Sequence, residues 1–385
     1  MRIAIAGAGP AGLHLAALLR TRRPGAEIRL VEQNKEGATF GFGVVFSDRA
    51  LDFLAADDPD LHAALTARLE SWQAITLNHP GGQVVIDGIG FTAIARLDLL
   101  RLLTERCRAL GVEPEFNTAI RGPEAFADCD LIVAADGVNS TLRNSGKFGT
   151  EIRELTNRFA WFGTTRRFDT LTQTFRRTPL GAFNAHHYRY APGMSTFIVE
   201  CDAATFASAG FATMHPDRTR ALLEQVFAPE LDGHGLVSNR SVWRRFPVLR
   251  NARWHDGNVV RERAARTVLI GDALRTAHFS IGSGTRLALE DSIALAKALD
   301  AHWGDIPAAL AAFEAARRPV VDALTEAADA SAAWYEEFAR HMALAPIDFA
   351  LSYIQRSGRV KLDRLARIAP EFVARVRAER PELAA

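Results

Sequence analysis

Gly271, Asp272, Gly282, Gly284 and Thr285 lie within twenty residues of one another in TVLIGDALRTAHFSIGSGTR, residues 267–286. A carboxylate fixed at the end of a buried strand can accept hydrogen bonds from the hydroxyls of a polar cofactor chain. A glycine-punctuated helix start presents unpaired amides and the positive end of a helix dipole to an electron-rich ring. Two further sets have matching character. Gly7, Gly9 and Gly12 in GAGPAG are followed by Glu32, 20 residues beyond the third glycine. Asp136-Gly137 opens DGVNSTLR, with Ser140 and Arg143 behind it.

These residues need elements to hold them. Residues 2–6 (RIAIA) read as a buried strand, Ala11–Arg20 as a helix and Glu27–Glu32 as a second strand, the opening of a doubly wound sheet. In that context the first glycine permits a tight turn, the second admits a pyrophosphate and the third lets helix and strand pack closely. Glu32 can then accept from an adenosine ribose, which leaves FAD and NAD both open. DLIVAA, residues 130–135, is another buried strand ending at the Asp136-Gly137 turn, and Leu97–Leu110 has helical spacing closed by Gly111.

Between about Arg153 and Arg250 the chain turns aromatic and β-branched, as in FAWFGTT, AHHYRY and STFIVE. An antiparallel sheet is expected there, joined by a hairpin over residues 75–88. After Thr285 the chain is Ala-rich and reads as helical. The expected fold is α/β: a discontinuous doubly wound domain (1–71, 92–150, 256–304), an inserted α+β antiparallel-sheet substrate domain (72–91, 151–255), and C-terminal helices (305–385).

Length and composition narrow the class. With 385 residues, 48% hydrophobic and 24% charged, the chain can bury two cores. A net charge of +1 argues against a nucleic-acid partner. Cys107, Cys129 and Cys201 lack CxxC spacing and are expected to be reduced and packed, with no metal. No apolar run approaches the ~20 residues of a membrane span, and the glycines of GAGPAG break what might begin a signal peptide. A soluble, cytoplasmic protein with no membrane partner is expected.

GAGPAG with Glu32, AADGVNSTLR and GDALRTAHFSIGSGTRLALED together resemble the class A flavoprotein monooxygenases of the p-hydroxybenzoate hydroxylase fold, over essentially the whole chain. The resemblance implies FAD, with Asp272 on its ribityl chain, Gly282–Thr285 beside the flavin pyrimidine edge and Arg96 near the phosphates. Gly43 and Val44 of GFGVVFSDRALDFL join the expected cofactor contacts, and Phe42, Val44, Val45 and Phe46 of that segment, with Phe279, are the expected water-excluding lining. NADH or NADPH would reduce the flavin transiently, without a second dinucleotide domain. Molecular oxygen would then be carried as a C4a-hydroperoxide to an aromatic ring, para to a hydroxyl or amino donor. His278 and His187 are the candidate acid–base residues, with His186 and Tyr188 beside them; a histidine of intermediate pKa suits a phenol or aniline proton.

HFSIGSGT, NRSVWRRFPVLRNARWHDGNVV and STFIVE narrow the resemblance to salicyloyl-CoA 5-hydroxylases and anthraniloyl-CoA monooxygenases. An aromatic CoA thioester is the expected substrate, with Arg244, Arg245, Arg250 and Arg253 as candidate phosphate contacts. ELDGHGLVSN is also similar to the tryptophan hydroxylase of violacein biosynthesis, so a free or carrier-tethered aromatic is the alternative. A non-catalytic flavin-binding partner is the second. Halogenation is disfavoured, since no WxWxIP segment occurs. The chain departs from the general family at Arg275 (usually histidine), Phe279 (usually proline) and Arg286 (usually asparagine), and RERAARTV, residues 261–268, reads as an insertion.

Overall fold

The computed structural model describes residues 1–39, 41–47, 51–260 and 263–383. A five-stranded sheet runs His255–Val260, Arg263–Leu269, Leu131–Ala134, Arg2–Ala6, Glu27–Val31, parallel except for its outer His255–Val260 strand. Its central strands are unbroken apolar runs because helices cover both faces. The Pro10–Arg22 helix buries every residue from Ala11 to Leu19. It packs between that sheet and the Gly284–Ala301 and Arg96–Ala109 helices, so it has no polar face to show.

The expected insertion is absorbed by this sheet. Arg266 to Leu269 pair in parallel with Leu131 to Ala134, and Arg263 to Val268 pair with the preceding strand as a hairpin. Arg261 and Glu262 lie outside the described residues.

An eight-stranded sheet has the order Leu236–Ser238, Arg158–Thr164, Met194–Cys201, Gly181–Ala191, Leu171–Thr178, Glu70–His79, Gly82–Ala95, Gly43–Ser47. The expected hairpin is its Glu70–Ala95 portion, with Ile75 opposite Ile86 and His79 opposite Gly82. Gly43–Ser47 belongs to this sheet too, through pairing with Ala95 to Phe91. Period-two alternation gives the sheet two buried faces. One packs Phe183, Phe197 and Val199 against Phe211, Leu223 and Phe227. The other packs Trp72, Ile75, Ile86 and Phe175 against Trp334, Phe338, Phe349 and Phe372 of the C-terminal helices. Strands Thr150–Glu154 and Pro247–Asn251 form a separate pair near the junction of the two sheets. Among the described residues no helix is long and apolar enough to cross a membrane.

Candidate active site

The carboxyl edge of the parallel sheet is shaped by glycine. Gly7 has φ +103°, and a Cβ there would stand 2.3 Å from the Ala135 carbonyl oxygen. A Cβ on Gly12 would stand 2.0 Å from the Gly7 carbonyl oxygen, so both are demanded by the chain's own packing. Gly9 differs: nothing lies within 4 Å of its Cβ position, and no side chain caps the helix that it opens. That combination leaves an open cradle of amide donors suited to an anion. Glu32 sits beside it, accepting from the amides of Ala8 (3.0 Å) and Asn34 (2.9 Å).

Asp136 accepts from the amides of Thr141 (2.8 Å) and Leu142 (3.3 Å) and from the Ser140 hydroxyl. It does not line the central cavity; its acceptors are spent ordering a loop that contributes Val138, Asn139 and Arg143 to the wall. Burial pushes its carboxyl above the ordinary value in spite of those bonds. Arg143 is buried, donating to the carbonyls of Val138 (2.7 Å) and Ala273 (3.3 Å), while its Nε has no protein partner.

Asp272 occupies the short 3-10 turn Gly271–Ala273 and opens onto the cavity. Burial raises its carboxyl, opposed by the charges of Arg275 and Arg96. Arg96 also lines the cavity, and its buried Nε has no partner. Arg275 does not. Its guanidinium donates to the Gly271 carbonyl (2.7 Å) and pairs at 2.7 Å with Asp291, a fully buried carboxylate that also accepts from the Gly271 amide (3.0 Å) and from Arg317 (3.2 Å). The Arg275 departure is therefore a brace beneath the turn. Beyond it Gly282 takes φ +61° against Val45, and the Gly284–Ala301 helix starts with no side-chain cap and no acid in its first turn. Arg286 pairs with Glu290 at 2.7 Å, one turn along.

A cavity of about 1330 Å³ joins these groups to the eight-stranded sheet. Gly43, Val44, Arg96, Asp272, Gly282, Gly284 and Thr285 line it, as do Phe159, Trp161, Gln173, His186, Ile198 and Phe279. Gly7, Gly9, Gly12, Glu32 and Asp136 lie outside it, along the parallel-sheet edge. Tyr188 faces it as well, donating to the Gly43 carbonyl (3.1 Å).

The two adjacent histidines part company. His186 lines the cavity, whereas His187 points to the opposite face, stacked on Phe197 with Nε2 2.9 Å from the Thr174 hydroxyl. Strand alternation forces that separation, so His187 does not reach the cavity. His278 is buried behind Phe279 (ring centroids 4.2 Å apart), with Nδ1 2.8 Å from the Ser280 hydroxyl, and it too is absent from the lining. Burial lowers His278 to about 4 and both His186 and His187 to about 3, so all three rings are neutral near pH 7.

Glu200 escaped the sequence reading. It is buried behind His186, with Oε2 3.4 Å from that ring's Nε2 and Oε1 accepting from Asn157 (2.9 Å). Burial pushes its carboxyl up to about 7. The signal was an acid inside STFIVE, an otherwise apolar strand. Gln173 joins the group, its amide 2.9 Å from His186 Nδ1 and its carbonyl accepting from Tyr335 (3.2 Å).

Of the four candidate phosphate arginines, Arg244 and Arg245 line the cavity; Arg250 pairs with Asp329 and Arg253 bonds the Lys147 carbonyl elsewhere. Cys107, Cys129 and Cys201 are free and buried, and the described residues hold no group able to bind a metal.

A family described as FAD binding domain matches residues 108–328. The chain is 41% identical to a salicyloyl-CoA 5-hydroxylase of Streptomyces sp over 93% of its own length and 70% of the relative's. It is 37% identical to a 3-hydroxy-4-methyl-anthranilyl-[aryl-carrier protein] 5-monooxygenase of Streptosporangium sibiricum, covering 87% and 89% of the two chains. A protodeoxyviolaceinate monooxygenase of Chromobacterium violaceum is 36% identical, over 92% and 94%. Among solved structures, 2-methyl-3-hydroxypyridine-5-carboxylic acid oxygenase superposes with a TM-score of 0.70 at 18% identity, over 95% and 98%, a likeness of fold. The glycine cradle at the parallel-sheet edge, and the cavity that Asp272 shares with an aromatic sheet face, agree with these likenesses: the chain belongs to the FAD-dependent flavoprotein aromatic monooxygenases.

Proposed function

We propose that this enzyme hydroxylates an aromatic ring carried on a thioester, with salicyloyl-CoA or anthraniloyl-CoA as the substrate type, at the position para to the ring's hydroxyl or amino group. One observation carries the reading: a single cavity runs from Asp272 and the Gly284 helix start to Phe159, Trp161, Gln173 and His186, and on to the arginines of its rim. Two relatives whose names specify thioester-linked aryl substrates, on CoA and on a carrier protein, support it.

The residues present fit FAD. Gly9 leaves space for a pyrophosphate, Glu32 stands ready for the ribose, and the unpartnered Nε atoms of Arg96 and Arg143 are donors awaiting an acceptor. Asp272 would hold the ribityl hydroxyls, Gly43 and Val44 would flank the ring, and Gly282, Gly284 and Thr285 would meet its electron-rich edge. Segments 1–71, 92–150 and 256–304 would form the FAD domain, except that Gly43–Ser47 and the ends of the Glu70–Ala95 hairpin pair within the eight-stranded sheet; 72–91 and 151–255 would form the substrate domain and 305–385 a helical cover. Bound FAD supplies transfer of electrons from NADH or NADPH to molecular oxygen.

The remaining work falls to the chain. The uncapped Gly284 helix stabilises negative charge on a ring beside it by about 0.3–1 kcal/mol. Phe159, Trp161 and Phe279 keep water from the reacting atoms. Gln173, through the second hydrogen of its amide, orients the hydroxyl or amino group that activates the aromatic ring, and His186 holds that amide in place. Gln173 donates to His186 Nδ1, so Nε2 carries the ring proton and faces Glu200, a carboxyl able to exchange a proton near neutral pH. His278 supports this group from behind Phe279 and His187 belongs to the core on the other face.

The test compares NAD(P)H oxidation stimulated by salicyloyl-CoA, anthraniloyl-CoA, free salicylate and tryptophan, with products analysed by mass. The reading expects strong stimulation and a product one oxygen heavier with a thioester only. Equal hydroxylation of a free aromatic would overturn it in favour of the free-substrate alternative.

A further inference from the structure

We infer that Arg359 and Arg364, on the C-terminal segment, form the anion-binding mouth of the cavity and take the phosphate end of a phosphopantetheine thioester. This rests on the thioester reading and extends it to the part of the substrate remote from the chemistry.

The segment 356–367 carries Arg356, Arg359, Lys361, Arg364 and Arg367 against one acid, Asp363, in a chain whose net charge is +1. Its arginines do different things. Arg356 is spent on the fold, donating to the Ser331 hydroxyl (3.0 Å), the Tyr353 carbonyl (2.7 Å) and the Ser280 carbonyl (2.8 Å). Arg359 and Arg364 also line the cavity, yet both are exposed and neither makes a hydrogen bond or ion pair among the described residues. Arg245, which lines the cavity with them, is engaged with Glu154 at 3.3 Å. Two unneutralised, exposed guanidiniums on the wall of one cavity offer charge-assisted donors to an anion such as a phosphate.

The segment is held in place by the sheet. Asp87 accepts from the amides of Glu371 (3.2 Å) and Phe372 (2.8 Å), and Gly88 sits so close that a Cβ there would be 1.6 Å from the Ile368 carbonyl oxygen. Gly88, Ile89 and Gly90 of the strand line the cavity together with Val360 and Ile368. A slender chain with few charges suits that lining, its aromatic end inward and its phosphates at the arginines. CoA and a phosphopantetheinylated carrier share this chemistry.

Binding of three ligands to the FAD-loaded enzyme distinguishes the possibilities: salicyloyl-CoA, salicyloyl-pantetheine without phosphate, and a salicyloylated carrier protein. The Arg359→Ala/Arg364→Ala variant should lose affinity for salicyloyl-CoA by about tenfold or more, while its affinity for the phosphate-free thioester equals the wild type's. Added salt should weaken wild-type binding of the CoA thioester more than the variant's. Arg359→Gln, with flavin occupancy as a check on folding, should give a smaller loss of the same kind. A carrier arm that loses affinity in parallel assigns the carrier's phosphate to the same mouth; loss in that arm alone overturns CoA as the source. Unchanged affinity for both salicyloyl-CoA and the salicyloylated carrier in both variants would overturn the inference while leaving the thioester reading intact. Failure of the wild type to bind any thioester would overturn the thioester reading itself.

Discussion

At the edge of the five-stranded sheet backbone amides, opened by Gly9 and by the uncapped Gly284 helix, are available to a ligand beside a few charged side chains such as Asp272 and Arg96. Across the cavity, on the eight-stranded sheet, they are side chains: Gln173, His186, Trp161 and Phe159. The first region depends on what the chain lacks at a few positions, a Cβ or a capping side chain. The second depends on which of two faces each strand residue takes. A backbone site tolerates almost no substitution at its glycines but asks little of its neighbours. A side-chain site can be retuned residue by residue, and that is where relatives with different aromatic substrates can diverge on one cofactor frame.

The largest effect expected is at Gly12. Gly12→Val puts side-chain atoms into the Gly7 carbonyl, so destabilisation above about 4 kcal/mol and loss of bound flavin are predicted, read by thermal melting and by absorbance. Melting and flavin content like the wild type's would break the claim that backbone proximity builds this region.

Asp272→Ala should weaken FAD binding by about 10- to 100-fold, because a charged acceptor facing the cavity is lost, with little change in melting temperature of the apoprotein. Its outcome sharpens the comparison: Asp272 is a side-chain carboxylate in the cavity lining, set among groups that are otherwise backbone amides and guanidiniums.

His187→Ala should cost about 2–4 kcal/mol of stability by leaving a gap beside Phe197 and Phe168, and should leave the pH–rate profile alone. His186→Ala should instead alter that profile and the coupling of NAD(P)H oxidation to hydroxylation. The reverse pattern would exchange the two faces and contradict the strand register.

Glu200→Gln carries an effect confined to one pH window, and a sign. Burial raises the native carboxyl from 4.5 to about 7, so below the lower value both folded and unfolded chains hold the proton. Between the two values the unfolded chain releases it while the native protein retains it. Native stability from this group is therefore lost as pH rises through that window and is level above it. The variant should gain on the wild type by on the order of 3 kcal/mol between pH 4.5 and 7, measured by denaturant unfolding. A difference independent of pH would show that Glu200 is not desolvated as described.

The cofactor region was legible because glycine spacing and an acid at a strand end are local patterns. Gly7, Gly9, Gly12, Asp272 and Gly282 fall where their spacing puts them, as do the strand over residues 2–6 and the 75–88 hairpin. Asp136 marked its loop correctly, though its carboxylate is spent within that loop. Other features depended on contacts distant in sequence. Arg275 read as an oddity at the cofactor until Asp291 and Arg317 disclosed it as a brace. Nothing local assigns His186 or His187 to the cavity, since both faces of this strand are buried. Arg359 and Arg364 gave no signal either, because their place at the mouth depends on Gly88 and Asp87, some 270 residues earlier.

The division of labour between the two regions is tested most directly by a paired titration. FAD and salicyloyl-CoA affinities are measured by fluorescence in Asp272→Ala and in Gln173→Ala. The account predicts that Asp272→Ala weakens FAD about tenfold or more, and that Gln173→Ala leaves FAD binding unchanged while weakening the thioester in the flavin-loaded enzyme. Loss of FAD affinity in Gln173→Ala, with the thioester unaffected, would contradict it.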